Sequence, residues 1–241
     1  MTKKIGYQGE AGANSHIACN LYDNNSSSIA LKTFDEVFIS LEKNEIDLAM
    51  IPIENTIAGR VSDIHRLMPT SNVNIIGELF LKINHCLMSL NESSLKDIKN
   101  VRSHEMALSQ CRNSILDLGL NPVVSADTAG SAKMISINKK KDEAAIASAL
   151  SAETYGLEVI QKNIENEKGN LTRFLVMGKN ISQPEFGDNK YITSFLFKLK
   201  SKPAALYQAL SGPSLNGVNL TKLQSYPEKN TFDSYFFLCD L

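Results

Sequence analysis

The stretch VNIIGELFLKINHCLMSL, residues 73–90, decides how this chain folds. It is long, apolar and extended in character, and only Lys82-Ile83-Asn84 interrupts it, with no helical pattern between its halves. A segment of this kind can leave one β-sheet and enter another, which predicts two lobes. The strand that begins at Thr172 would make the return crossing. The sequence therefore predicts a ligand site between two lobes, with Thr172 close to the hinge.

Strand and helix patterns alternate on both sides of this stretch, up to about residue 180. Amphipathic helical patterns follow the start signals Asp35, Ser103 and Asp127. Alternating elements favour parallel sheets covered by helices, so the predicted class is α/β. The predicted strands are Lys4–Gln8, Ile29–Phe34, Leu48–Ile53, Val73–Leu81, Asn84–Leu90, Asn100–Ser103, Asn121–Val124, Ala144–Ala147 and Thr172–Met177.

The pattern changes after residue 180. Residues 181–190 are polar, contain a proline and a glycine, and are predicted to be a linker. A β-α-β-β order follows, which is the first two-thirds of the β-α-β-β-α-β split fold. Its predicted elements are the strand Tyr191–Lys200, the helix Pro203–Leu210 and the strands Gly217–Gln224 and Thr231–Leu238. We expect a C-terminal domain that lacks its final helix and strand, which would leave a sheet edge unpaired.

Composition excludes several classes of protein. The 241 residues carry a net charge of −1 and no tryptophan, which disfavours nucleic-acid binding. No apolar segment of signal-peptide or membrane-spanning type is present, so we expect a cytoplasmic protein that does not bind membranes. The four cysteines have no Cys-x-x-Cys spacing and most lie in apolar surroundings, and the four histidines are scattered, so reduced thiols and no metal site are predicted.

Four polar clusters lie at strand ends, where open α/β sheets bind ligands. In GNLTRFLV (residues 169–176), alternation places Thr172 and Phe174 on one face of a strand and Arg173 on the other. Alone, this motif also fits a strand with a polar start. The other three clusters are PIENT (52–56), Ser103-His104 with Gln110, and GEAGANSH (9–16).

Together with ASALSAETYGL (residues 147–157), these clusters resemble the prephenate dehydratase family in order and spacing. The resemblance covers essentially the whole chain. It implies a two-lobed, periplasmic-binding-protein-like (type II) catalytic domain at 1–180, followed by a partial α+β ACT (ferredoxin-like) regulatory domain at 191–241. Lobe 1 is expected at about 1–80 and 171–180, and lobe 2 at about 81–170.

The resemblance also implies an activity and partners. Members of this family convert prephenate to phenylpyruvate with loss of water and carbon dioxide in phenylalanine biosynthesis, and they need no metal or organic cofactor. Their ACT domains pair and bind L-phenylalanine as a feedback inhibitor. We therefore expect a homodimer or homotetramer with prephenate as substrate and L-phenylalanine as a possible inhibitor.

Carried onto this sequence, the resemblance implies three groups of site residues. The catalytic group is Thr172, Asn55, Ser103 and Gln110. The substrate-binding group is Glu54, Thr56, Ser15, Arg173, Phe174 and His104. The phenylalanine-binding group is Asn216, Gly217, Val218, Asn219, Leu220, Gln224, Ser225, Tyr226 and Pro227.

Simpler structural roles compete at some of these positions. Ser103 fits the N-cap of the helix that follows it, and His104 fits a capping or packing role. Arg173 fits a structural salt bridge, and Glu54 fits a solvated loop acid. Thr172 is interpreted as a preorganised hydrogen-bond donor to the leaving oxygen, because a threonine hydroxyl is a poor proton source in water.

Two other functions fit the same sequence. Arogenate dehydratase acts on a substrate with an amino group in place of the side-chain keto group, and one or two residues in the cleft could decide between the two substrates. A non-catalytic protein that binds small carboxylates or amino acids would use the same two-lobed and ACT scaffolds.

Overall fold

The structure is a computed structural model that describes residues 2–181, 191–228, 231 and 233–241. It divides into two compact units. The first contains the chain up to Ile64 together with Asn72–Ile181, and the second contains His65–Ser71 together with the described residues from 191 onward. The predicted linker lies outside the described residues, apart from Ile181.

The first unit alternates strands and helices. In chain order its strands are β1 (Lys4–Gln8), β2 (Ser27–Leu31), β3 (Leu48–Asn55), β4 (Gly59–Arg60), β5 (Asn74–Lys82), β6 (Cys86–Ser89), β7 (Asn100–His104), β8 (Asn121–Ser125), β9 (Glu143–Ala147), β10 (Glu158–Lys162) and β11 (Leu171–Gly178). The helices are α1 (Asn14–Tyr22), α2 (Phe34–Glu42), α3 (Ser62–Leu67), α4 (Glu105–Gln110), α5 (Arg112–Asp117), α6 (Thr128–Asn138) and α7 (Ala149–Tyr155). Helix α3 continues into a 3₁₀ turn at Met68–Thr70, and its residues from His65 on group with the second unit. No helix in the described ranges is long and apolar enough to cross a membrane.

Lobe 1 is a mixed sheet with the strand order β2-β1-β3-β11-β5, to which β4 adds at the end of β3. Strand β1 is parallel to β2 and β3, whereas β11 is antiparallel to both β3 and β5. The amino end of β11 therefore lies beside the carboxyl ends of its neighbours, and Thr172 is opposite Asn55 on one side and Leu81 on the other.

Lobe 2 repeats this arrangement in a second sheet with the order β10-β6-β9-β7-β8. Strand β7 is parallel to β8 and β9, whereas β6 is antiparallel to β9 and β10. The amino end of β6 consequently lies beside the carboxyl end of β9, where Cys86 pairs with Ala147. All five residues of β9 are buried, as expected for a strand covered by helices on both faces.

Two crossing segments join the lobes, and they run side by side. One leads from β5 to β6, and the other leads from β10 to β11. The Ile83 amide donates to the Asn170 carbonyl at 2.8 Å, and the Ile164 amide donates to the His85 carbonyl at 3.1 Å. The two-lobed α/β fold predicted from residues 73–90 is confirmed, and Thr172 follows directly after the return crossing.

Several predicted boundaries are wrong for local reasons. The Thr33 hydroxyl accepts from the Glu36 amide at 3.1 Å, so α2 begins at Phe34 and the preceding strand ends at Leu31. Helix α4 is capped by His104 rather than Ser103. Strands β4 and β10 were not predicted, because β4 has two residues and β10 is a half-exposed strand that pairs with β6 alone.

The second unit has the predicted β-α-β-β order. Its elements are β12 (Ser194–Lys198), α8 (Ala205–Leu215), β13 (Lys222–Pro227) and β14 (Tyr235–Asp240), and its antiparallel sheet has the order β12-β14-β13. The predicted boundaries of its helix and of its second and third strands are wrong, and the third strand begins at Tyr235 rather than Thr231. Ala204 has φ 60° and lies in the turn before α8, so the helix begins at Ala205. Gly217 has φ 69° and lies in the turn after the helix rather than in a strand, and β13 begins at Lys222.

The loop that follows β1 in lobe 1 contacts lobe 2 through hydrogen bonds and an ion pair. The Gly12 carbonyl accepts from the Ser148 hydroxyl at 2.6 Å and from the Ser151 hydroxyl at 2.9 Å. Glu10 in the same loop pairs with Lys133 of α6 at 2.9 Å. Gly12 has φ 86°, and a Cβ at this position would lie 2.7 Å from the Ser151 Cα. The contact between the lobes therefore requires glycine here.

We predict that Gly12→Ala destabilises the protein more than Gly119→Ala. Gly119 also has positive φ, at 65°, but a Cβ there meets nothing within 4 Å. Gly119→Ala should cost only backbone strain of about 1–2 kcal/mol, whereas Gly12→Ala adds an overpacking penalty of about 1–3 kcal/mol. Chemical denaturation measures both variants, and equal losses would contradict the requirement for close approach.

Candidate active site

A cleft of about 410 Å³ lies between the two lobes of the first unit. This volume falls within the range of small-molecule sites. Six of the predicted site residues line the cleft: Ser15, Asn55, His104, Gln110, Thr172 and Phe174. Six further polar residues also line it: Gln8, Asn14, His85, Asp127, Thr128 and Asn170.

Sheet topology explains why these residues meet. Asn55 ends β3, and His104 ends β7, at the carboxyl edges where ligands bind in α/β sheets. Thr172 and His85 lie at the start of antiparallel strands, β11 and β6, whose amino ends reach the same edges. The expected alternation of Thr172, Arg173 and Phe174 along β11 is confirmed, because the first and third line the cleft and Arg173 does not.

The side-chain amide of Asn55 has a fixed orientation. Its Oδ1 accepts from the backbone amides of Ile57 at 3.0 Å and Ala58 at 2.7 Å. Because backbone N–H groups only donate, the opposite end of the amide must be Nδ2. That nitrogen has three acceptors within reach: Asn170 Oδ1 at 2.6 Å, the Thr172 hydroxyl oxygen at 2.8 Å and the Leu171 carbonyl at 3.1 Å. Its two hydrogens serve the two nearer ones, Asn170 and Thr172.

Thr172 thereby accepts a hydrogen bond and keeps its own proton for another partner. Its side chain is largely buried, with 8% of the residue exposed, and it faces the cleft. The hydroxyl is therefore a donor aimed at whatever the cleft contains. A buried donor held by neighbours is the arrangement that stabilises developing negative charge.

Gln110 links the same network to lobe 2. Its Oε1 accepts from Asn170 Nδ2 at 3.0 Å and lies 2.9 Å from His85 Nε2. Asn170 and His85 are buried, with 1% and 4% exposed. The cleft therefore has a continuous polar floor that runs from lobe 1 to lobe 2.

Two other predicted residues lie at helix starts in the cleft wall. His104 caps α4 through Nδ1, which accepts from the Met106 amide at 3.2 Å. Ser15 lies in the first turn of α1, where Ala13 occupies the N-cap and provides no side-chain acceptor. The first-turn amides of a helix have no partner within the helix and favour anions.

Four predicted site residues do not line the cleft. The Ser103 hydroxyl is fully buried and donates to the Ile146 carbonyl at 2.6 Å within lobe 2. Arg173 pairs with Glu78 of β5 at 2.7 Å, which is the structural salt bridge considered above. Thr56 accepts from the Leu171 amide at 3.0 Å. Glu54 lies on β3, opposite Arg173 in the backbone register of β3 and β11. Their positions fit support of the cleft walls.

Comparison with known proteins identifies the family. Residues 5–182 match the prephenate dehydratase family model. A bifunctional N-acyl-homoserine lactone acylase/prephenate dehydratase from Komagataeibacter europaeus is 38% identical over 98% of this chain and 84% of its own length. This chain belongs to the prephenate dehydratase family. The family predicted from the polar clusters is confirmed.

Two more members of the prephenate dehydratase family are similar to this chain over nearly its whole length. Arogenate dehydratase/prephenate dehydratase 2 of Arabidopsis thaliana is 36% identical over 93% of this chain, which spans only 58% of that protein. The structure of prephenate dehydratase from Arthrobacter aurescens in complex with L-Phe is 27% identical with a TM-score of 0.89, covering 98% of this chain and 79% of that one. The predicted enzyme class, a lyase, is supported by these matches.

Sequence reasoning missed His85 and Asn170. Both lie in the crossing segments rather than at the carboxyl end of a strand, so the strand-end rule did not select them. The signal that could have found them is their position: His85 directly precedes the strand that enters lobe 2, and Asn170 lies two residues before Thr172. A crossing position is only a partial signal, because Asn84 lies in the same crossing as His85 and does not line the cleft.

We predict that the protein loses stability as the pH falls below about 6.5. Burial lowers the pKa of both His85 and His16 below their ordinary value of 6.5. The unfolded chain therefore takes up protons before the folded one, so the free energy of unfolding decreases through this range until the folded-state pKa values are passed. Thermal unfolding at pH 7.5 and pH 5.5 measures the effect.

A double variant, His16→Gln with His85→Gln, provides the control for this pH dependence. It should show a smaller change in melting temperature between the two pH values than the wild type. A wild-type melting temperature that is constant or higher at pH 5.5 would contradict the assignment.

Proposed function

We propose that this chain converts prephenate to phenylpyruvate, with Thr172 donating a hydrogen bond to the departing ring hydroxyl. The observation that carries the proposal is the 2.8 Å bond from Asn55 to the Thr172 oxygen at the floor of the cleft. It leaves the threonine proton directed at the ligand. Membership of the family supports the choice of substrate, and the amides, hydroxyls and histidines of the cleft lining offer hydrogen-bond donors to an organic acid. The carboxylate in this lining, Asp127, accepts from the Gly130 amide at the start of α6.

The reaction needs little covalent participation from the protein. The bond between the ring and its carboxylate breaks, and carbon dioxide leaves. The released electron pair aromatises the ring and expels the hydroxyl group, which becomes water after protonation. Negative charge therefore develops on one oxygen. A well-placed donor to such an oxygen contributes about 2.7–4 kcal/mol to the transition state.

One substrate carboxylate is proposed to lie at the start of α1. Ala13 leaves the first-turn amides of this helix without a side-chain cap, and Asn14 and Ser15 line the cleft. The Ser15 hydroxyl adds a further donor. A helix N-terminus with unsatisfied amides favours an anion through both hydrogen bonds and the helix dipole.

We expect Thr172→Ala to lower kcat for prephenate by roughly 10²–10³ with wild-type folding. Thr172→Ser, which keeps the hydroxyl, should retain most of the activity. Phenylpyruvate formation at neutral pH measures all variants. Thr154→Ala is the matched control, because this threonine is exposed on α7 and its hydroxyl donates to the Leu150 carbonyl.

Arogenate, assayed in parallel, tests the alternative substrate. Faster turnover of arogenate than of prephenate would replace the proposed substrate while keeping the role of Thr172. Binding of prephenate without turnover of either compound would favour the non-catalytic alternative. Wild-type activity in Thr172→Ala would contradict the role of the hydroxyl.

The second unit is proposed to bind L-phenylalanine. It contains a cavity of about 370 Å³ that combines apolar walls with charges of both signs. A zwitterionic amino acid with an aromatic side chain needs all three features. The residues concerned are Leu199, Leu206, Tyr235 and Phe237 for the walls, and Lys200, Lys202 and Asp233 for the charges.

The residues predicted from sequence for this inhibitor lie elsewhere in the second unit. Gly217–Leu220 line a separate cavity of about 430 Å³ whose lining includes no charged side chain. Asn216 and the β13 residues Gln224–Pro227 line neither cavity. The charge pattern therefore favours the first cavity. A dimeric or tetrameric state and a cytoplasmic location stay predictions from the sequence.

Calorimetric titration of L-phenylalanine separates the two cavities. We expect Asp233→Asn to weaken binding by about tenfold or more, because it removes the partner of the ammonium group. Val218→Ala, in the other cavity, should bind like the wild type. The reverse pattern would assign the inhibitor to the residues predicted from sequence.

A further inference from the structure

His85 is the buried end of the hydrogen-bond chain that leads to Thr172. Its Nε2 lies 2.9 Å from Gln110 Oε1. From there the chain continues through Asn170 and Asn55 to the threonine hydroxyl, with distances of 3.0, 2.6 and 2.8 Å. Each link joins groups that are part-buried or buried, where an unmatched donor or acceptor is costly.

The polarity of this chain follows from its lobe 1 end. The backbone amides of Ile57 and Ala58 require Asn55 to present Oδ1 to them and Nδ2 to Asn170. Asn170 must then present Oδ1 to Asn55, which leaves its Nδ2 for Gln110. An amide nitrogen donates only, so every orientation in this part of the chain is determined.

The same reasoning determines the state of the histidine. Because Asn170 donates to Gln110, the glutamine atom at that junction must be Oε1. That oxygen also faces His85 Nε2, so the ring nitrogen must carry a hydrogen. The neutral ring is therefore the Nε2–H tautomer.

We infer that His85 is a positioning residue for the dehydration, anchoring Gln110 at the lobe 2 end of the chain of amides that leaves the Thr172 proton directed into the cleft. This inference rests on the proposed function. Without the His85 donor, Gln110 Oε1 would keep Asn170 as its only partner in the chain of amides. The Gln110 side chain would then be free to turn away and leave Asn170 Nδ2 unpaired, which would loosen the hold of Asn170 on Asn55.

Burial of the histidine supports a single tautomer. His85 is 4% exposed, and desolvation lowers its pKa. The ring is therefore neutral at pH 7.5, where the position of its one hydrogen can be measured. The Glu165 carboxylate accepts from the His85 backbone amide at 3.0 Å and thereby holds the main chain of this residue.

Nitrogen NMR of the histidine-labelled full chain tests the tautomer directly. The chain has four histidines, and the signals absent from His85→Gln identify those of His85. At pH 7.5 we expect Nε2 to be protonated and Nδ1 to be unprotonated. An Nδ1–H tautomer, or averaged signals from two exchanging tautomers, would overturn the inferred polarity.

Two substitutions separate the hydrogen bond from the bulk of the ring. His85→Leu removes the donor and should lower kcat for prephenate by about 10–100-fold with KM changed by less than about threefold. His85→Gln places an N–H near the position of Nε2 and should remain within about threefold of the wild-type kcat. Equal losses in both variants, or a loss confined to KM, would overturn the positioning role.

Further controls distinguish this role from simple destabilisation. Ile115→Val removes one methylene from the lobe 2 core outside the chain of amides and should leave kcat unchanged. If His85→Leu does not fold, His85→Asn, whose amide is shorter, should show the same loss of kcat. A wild-type protein that does not convert prephenate would overturn the proposed function, whereas the NMR measurement would still decide the polarity.

Discussion

The antiparallel insertion of β11 between β3 and β5 is the constraint on which the site depends. The strand returns to lobe 1 against the direction of its neighbours, so its first residues lie at the edge where those neighbours end. Both sides of the strand are paired, which fixes Thr172 opposite Asn55. A register shift of one residue would turn Thr172 away and present Arg173 to the cleft, because strand side chains alternate. The salt bridge between Arg173 and Glu78 further holds this register.

Lobe 2 also contains an antiparallel strand, β6, whose amino end lies at the cleft. The two lobes contact each other near the amino ends of β6 and β11. Strand β6 brings His85 to the edge formed by the carboxyl ends of β7 and β9, as β11 does for Thr172 in lobe 1. A line of side-chain amides then spans the hinge. The hydrogen bonds of Gly12 with Ser148 and Ser151 join the lobes at another place. The polar groups of the cleft are therefore held by hydrogen bonds within the protein, which is the condition under which fixed dipoles stabilise a transition state.

Much of this architecture could be predicted from the sequence, because it follows from local pattern. The extended stretch at 73–90, which has no helical pattern between its halves, indicated the crossing, and alternation along β11 placed Thr172 and Phe174 together. The site was predicted less completely. The strand-end rule selected Ser103, whose buried hydroxyl satisfies a backbone carbonyl, and it missed His85 and Asn170 in the crossings. Whether a polar residue at a strand end faces the cleft depends on tertiary hydrogen bonds that no local pattern reports.

In the proposed mechanism, Asn55 assists catalysis by orienting the Thr172 hydroxyl. A double-mutant cycle on kcat/KM for prephenate, with Asn55→Ala and Thr172→Ala singly and combined, measures this coupling. We expect Asn55→Ala to lower kcat/KM by about 10–100-fold in the wild-type background and by less than about threefold when Thr172 is already alanine. An equal loss in both backgrounds would show that Asn55 acts independently of Thr172 and would rule out the orienting role.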